Sequence, residues 1–202
     1  MKDYKAISEL YDENHKYEFL IRSKLQKNMP KWFIEHGYEF QHNKNNYDKY
    51  DLEFIKYNSN REIIKVCDIE LEIGNNQNFW NKETNVLRSK WPRGISLLDR
   101  KKYGLNFQIF MKFSTTLKSS IIIDVRDNFI YSNNFKTSNE NHNLDFETNN
   151  RFISIPWNFI DNNLFKIKNS GKKISNKKIL LIENDEYSLF YIFLYFHFIK
   201  NK

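Results

Sequence analysis

Apolar and polar residues alternate from Ile63 to Ile73. Ile63, Cys67, Ile69, Leu71 and Ile73 point one way; Asp68, Glu70 and Glu72 point the other, with Val66 behind them. A period of two residues is that of a β-strand. The preceding Tyr50-Asp51-Leu52-Glu53-Phe54 reads as a partner strand. Between them, Asn58-Ser59-Asn60-Arg61 is a turn whose side chains bend the chain by bonding to their own backbone. Upstream, Ile7, Leu10, Tyr11, Tyr17, Leu20, Ile21 and Leu25 recur at three-and-four spacing. They predict an amphipathic helix over Ala6 to Lys27, with Asp3 as its N-cap. Glu18 lies in the row Ile7, Tyr11, Asn14, Glu18, Ile21, Leu25, on or beside the buried stripe. A carboxylate there takes a partner or a cation, or snorkels to solvent. Asn28-Met29-Pro30 ends the helix. Lys31 to Glu35 forms one more turn with Trp32 and Phe33 inward, Gly37 stops it, and a strand opens at Tyr38 to Gln41.

Beyond Gly74, Asn75 to Trp80 is a polar loop containing Gln77, and Asn81 to Trp91 fits a short helix. Ile95 to Leu98 is strand-like and runs into Asp99-Arg100-Lys101-Lys102. Leu105 to Phe113, Ser120 to Val125, Phe129 to Ser132, Arg151 to Ile155 and Ile179 to Ile182 read as strands. Asn133 to Asn150 is a long polar loop. The aromatic closing stretch, Tyr187 to Ile199, fits helix or strand, and either buries itself or pairs with another copy of the chain as a homodimer.

Composition narrows this. A chain of 202 residues suits a single domain with a real core. Aromatic residues at 17% argue against disorder. The net charge of +7 favours polyanions, nucleic acid first, although an AT-rich genome inflates lysine without any ligand. Cys67 is the sole cysteine, on the apolar side of its strand, which fits core packing and a reducing compartment. Met1-Lys2-Asp3-Tyr4 leads into charged residues, so no signal peptide is expected. The longest apolar run, Ser188 to Ile199, is too short for a bilayer and holds His197. The expectation is a soluble, cytoplasmic protein without a membrane partner.

Three carboxylates in a row repel one another. Such a row is tolerated on the solvated face of an edge strand, or around a cation, and is expensive anywhere dry. Asp51 from the neighbouring strand can join it, and converging carboxylate oxygens suit a hard ion such as Mg²⁺. Arg100, Lys101 and Lys102 are either phosphate contacts or a solvated turn.

The element order adds a resemblance. A helix with a Glu, a Gly before a first strand, a strand with Asp51 and a strand with Glu70 and Glu72 together resemble the PD-(D/E)XK nuclease core. The likeness covers about residues 5 to 75, with a weaker echo to about 125. It implies an α+β (α/β) restriction-endonuclease-like fold, a mixed central sheet flanked by helices. The core would occupy about 5–125 and extra β-strands about 126–202, all in one domain. It implies that Asp51 and Glu70 ligate Mg²⁺ or Mn²⁺, that Glu18 acts in the outer shell, and that double-stranded DNA is the substrate. Glu72 stands where the family has Lys. Some type II restriction enzymes carry Glu-x-Glu there, so Glu72 is expected to take a proton from water or to hold a second ion. The alternative is a catalytically inactive nucleic-acid-binding or assembly protein on the same fold. A third reading leaves the acidic strand merely exposed.

Overall fold

The computed structural model describes residues 4–43, 50–73, 95–99, 107–114, 117–127, 129–130, 135, 137–139, 151–167, 175–183 and 185–200. Helices α1 (Tyr4–Lys27) and α2 (Lys31–Glu35) come first, followed by β1 (Tyr38–His42), β2 (Leu52–Tyr57) and β3 (Ile63–Ile73). Then come β4 (Ile95–Asp99), β5 (Ile109–Phe113), β6 (Ser120–Asp124), β7 (Thr137–Asn139) and β8 (Arg151–Ile155). The chain closes with α3 (Trp157–Asn162), β9 (Ile179–Ile182), α4 (Ser188–Leu194) and a π-helical turn, Tyr195–Ile199. The fold is α+β: a six-stranded mixed sheet ordered β1-β2-β3-β5-β6-β9, with a second sheet ordered β4-β8-β7.

Local chemistry explains the first half. Gly37 ends α2 at φ 78°, a left-handed conformation that glycine adopts without steric penalty. A Cβ there would stand 3.0 Å from the Tyr57 carbonyl oxygen. The β2–β3 hairpin turns on Asn58, whose Oδ1 accepts from the amides of Asn60 and Glu62, both at 2.9 Å. Arg61 takes φ 61° in that turn. β1 lies at the margin of the sheet, and α1 guards its outer main chain. Arg22 Nε donates to the Phe40 carbonyl at 2.7 Å, and the Phe40 amide donates to Gln26 Oε1 at 3.1 Å. Such side-chain bonds cover an edge that would otherwise recruit another strand.

β3 carries a bulge. Phe54 pairs with Cys67, but the next residue, Ile55, pairs with Lys65. The extra residue is Val66, and it packs with Cys67 against the helix-covered core rather than behind the carboxylates. The bulge therefore inverts the face of everything before it. Lys65 joins the side of Asp68, although residues three apart on a regular strand point oppositely. Ile63, expected inward, is exposed at the hairpin tip with Ile64.

Two cores cover the two faces. On one, Ile21, Leu25, Phe33, Phe40, Leu52, Phe54, Ile69 and Met111 pack with Phe190, Tyr191, Phe193 and Phe198. On the other, Phe110, Ile121, Ile123 and Ile179 pack against Ile153, Ile155 and Ile160. The closing stretch is helical, since Phe190, Tyr191, Phe193, Leu194 and Phe198 recur at helical spacing and are all buried. Trp32 is 40% exposed, although its ring meets those of Phe33, Tyr38 and Tyr195. Residues 129–130 form a turn rather than a strand, and the expected long polar loop contains β7.

Candidate active site

Strand register builds the site. β2 and β3 are antiparallel, with Leu52 opposite Ile69. Asp51, at the bend just before β2, therefore stands opposite Glu70. The Asp51 amide donates to the Ile69 carbonyl at 3.0 Å, and the Asn43 amide donates to the Asp51 carbonyl at 3.1 Å. Asp51 is thus held from β3 and from the end of β1. Its Oδ2 accepts the Leu71 amide at 2.6 Å. The carboxylate is fastened to the peptide between Glu70 and Glu72, at the rim of the sheet.

Glu70 is buried, 4% exposed. Its parallel neighbour on β5 is Phe110, a member of the second core. Glu72 pairs in register with Lys112, and Lys112 Nζ lies 2.5 Å from Glu72 Oε1. β3 lies between β2 and β5, inside the sheet. The reading of the acidic row as the solvated face of an edge strand is therefore incorrect: Asp68 and Glu70 are both buried.

The near end of the row is an ion-pair network. Lys65 Nζ lies 3.1 Å from Glu53 and 3.0 Å from Asp68, and donates to the Tyr50 hydroxyl at 2.7 Å. Tyr50 in turn donates to Glu53 Oε1 at 2.7 Å. Burial acts to lower the Lys65 ammonium, but the hydrogen bonds it donates to Tyr50, Asp68 and Glu53 outweigh burial and hold it above its usual range. Burial pushes the Asp68 carboxyl up, against the pull of Lys65. The Asp68 amide donates to Gln108 Oε1 at 2.6 Å, which ties β3 to the start of β5. Two lysines thus sort the row, Lys65 with Glu53 and Asp68, and Lys112 with Glu72.

Two carboxylates from adjoining strands are hard oxygen donors, and as a donor set they fit Mg²⁺ or Mn²⁺ with water and phosphate completing the shell. Among the described residues, no three His, Cys, Asp or Glu groups are gathered in metal-ligand geometry.

Glu18 is half-buried on α1, one turn from the buried Ile21. Its neighbour Phe19 stacks on His42 with ring centroids 6.0 Å apart, and His42 pairs with Leu52. Glu18 therefore approaches the Asp51 end of the sheet, but α1 covers the face opposite Glu70 and Glu72. Arg100, Lys101, Lys102 and Gln77 lie outside the described residues. Lys112, Lys65 and Tyr50 were not anticipated. Alternation within β5 puts Lys112 on the Phe110 side, yet only the parallel register shows that this side meets Glu72.

A second buried cluster sits on the helix-covered face. Asp124 is fully buried. Arg126 Nε and Nη2 reach its two oxygens at 3.0 and 2.8 Å, and His197 Nδ1 lies 3.1 Å from Oδ2. Arg126 Nη2 also donates to the His197 carbonyl at 2.8 Å. Arg126 and His197 together occupy both Asp124 oxygens, so the cluster fastens the π-helical turn to β6.

Among the described residues no helix is long and apolar enough to cross a membrane. In comparisons with known proteins, no family model, no curated protein and no solved structure matches the chain.

Proposed function

We propose that the chain is a metal-dependent nuclease hydrolysing phosphodiester bonds of double-stranded DNA on a restriction-endonuclease-like core. The observation that carries this reading is the Asp51 carboxylate bonded to the Leu71 amide, between Glu70 and Glu72. The element order supports it: α1, an antiparallel β1-β2-β3 meander, then β5 parallel to β3. Asp51 and Glu70 would hold the divalent ion. When bound, that ion polarises a phosphodiester oxygen and lowers the pKa of a water. Burial of Glu70 limits competing water and strengthens the field at the site. Glu72 stands one alternation further along β3, where it can take a proton from the attacking water. Glu18 is assigned an outer-shell place through water. Arg100, Lys101 and Lys102 are assigned to backbone phosphates, which orient a duplex without reading its sequence.

The second reading is a nucleic-acid-binding or assembly protein without chemistry. The Glu72–Lys112 pair favours it, because Lys112 already engages the Glu72 carboxylate. Incubation of plasmid DNA with the chain in Mg²⁺ or Mn²⁺, with Glu70→Ala as control, separates the two. The nuclease reading expects cutting that Glu70→Ala abolishes. DNA bound with a salt-dependent affinity but left intact supports the second reading.

A further inference from the structure

We infer that the surface around Trp32 binds single-stranded DNA, apart from the candidate active site. Four rings run on from one another there. Trp32 stacks on His36 with centroids 4.2 Å apart, and meets Tyr195 edge-on at 5.5 Å. Tyr195 in turn meets Phe196 at 5.5 Å. Trp32 and His36 are both exposed. The His36 ring is held in place, because its Nδ1 donates to the Trp32 carbonyl at 2.7 Å. Rings fixed before binding lose little freedom on meeting a partner. Cations flank them. Lys56 Nζ lies 5.3 Å from the Tyr38 ring, itself stacked on Trp32 at 6.0 Å, and Lys200 Nζ lies 5.0 Å from the Phe196 ring. Lys31 is offset by Glu35 at 3.1 Å, so Lys56 and Lys200 carry the surplus charge. Fixed rings with surplus cations complement a polyanion that has flat apolar faces to offer. A duplex hides its base faces within the stack, whereas a single strand presents them. A second copy of this chain would bring its own lysines to the same place. Tyr38, beneath Trp32, belongs to the helix-covered core, whereas Phe110, beside Glu70, belongs to the other. A strand on this surface therefore leaves the acidic row uncovered. The choice of DNA over RNA rests on the nuclease reading; the surface itself does not.

The test is fluorescence anisotropy of labelled oligo-dT with the full chain in EDTA, beside oligo-U and a blunt duplex of equal length, with the plasmid assay run in parallel. Oligo-dT is expected to bind more tightly than either. Trp32→Ala is expected to weaken oligo-dT binding about tenfold or more, and Trp32→Phe, which keeps a ring, by much less. Lys56→Gln/Lys200→Gln is expected to reduce the slope of log affinity against log salt by about 1.4, about 0.7 for each phosphate contact. Lys16→Gln, an exposed position on α1 near the other end of β1, is expected to change the affinity by less than about twofold. Circular dichroism checks that each variant folds, and the lysine pair decides the matter if Trp32→Ala does not. Unchanged binding by folded Trp32→Ala, or an unchanged slope for the lysine pair, would overturn the inference. So would oligo-U or duplex bound as tightly as oligo-dT, or a dimer in sedimentation that Trp32→Ala splits while oligo-dT stays unbound. Plasmid cut without oligo-dT binding would remove the inference and leave the nuclease reading. Oligo-dT bound through Trp32 with no plasmid cut would remove that reading and leave the inference.

Discussion

Replacing Asp124 by Asn changes almost no volume yet should loosen the whole C-terminal layer. The Oδ1 side keeps its role as acceptor for the Arg126 amide at 3.1 Å and for Arg126 Nε at 3.0 Å. The other oxygen becomes an NH₂ group aimed at Arg126 Nη2, 2.8 Å away, so donor faces donor. His197 can change tautomer to accept, but a guanidinium cannot. A hydrogen bond to a charged group contributes about 1.5–3 kcal/mol, and breaking a buried ion pair costs about 3–5 kcal/mol. Arg126 is 33% exposed, so water offsets part of the loss and the lower end, about 3 kcal/mol, applies. For a chain of this size that lowers the melting temperature by about 6–12 °C. With a urea slope of about 2 kcal/mol/M, the unfolding midpoint falls by about 1.5 M. Circular dichroism against urea at neutral pH measures it, with Asp127→Asn, an exposed partner of Lys178, expected to leave the midpoint in place. A shift under about 0.5 M would refute the weight given to the cluster. The pH dependence follows from the same geometry. Burial alone would raise the Asp124 carboxyl, but His197 and Arg126 overcome it and hold the group well below the carboxylate range. The folded value lies below the unfolded one of about 3.9. The stabilisation is therefore complete above about pH 4 and is lost as pH falls from there toward the folded value. The gap between wild type and Asp124→Asn should narrow between about pH 4 and pH 2.

Asp51→Asn keeps an oxygen to accept the Leu71 amide, so the fold should survive while plasmid cutting disappears. Cutting at the wild-type rate would show that Asp51 holds no ion. Gly37→Ala forces a left-handed φ on alanine and drives its Cβ against the Tyr57 carbonyl. It should destabilise by more than about 1 kcal/mol in the same urea assay, and a neutral result would mean that the α2–β1 corner relaxes freely. Leu25→Ala empties a fully buried position beneath Tyr191 and should cost about 2–5 kcal/mol, read from the thermal midpoint.

The early part of the chain was readable because its signals are local. Residues 7 to 25 repeat at helical spacing, Gly37 stops α2, and Asn58 makes its own turn. Each of these acts within a few residues. The antiparallel pairing of β2 with β3 was also within reach, because a short hairpin links the two strands. Val66 was misplaced, since a bulge is a property of two strands in register rather than of one pattern. Lys112 was overlooked for a stronger version of the same reason: forty residues and another sheet's strand separate it from Glu72. The closing stretch stayed ambiguous because dense aromatics suit either a strand or a helix until a neighbour selects the buried side.

The amino-acid pattern by itself determined an α+β chain with a basic surplus and an acidic strand, since alternation and helical spacing act over short distances. Only the tertiary structure decided that this strand lies inside the sheet, and that Lys65 and Lys112 neutralise parts of its acidic row. Carboxylates tolerate burial when cations arrive from elsewhere in the fold, and long-range strand pairing sets where those cations arrive.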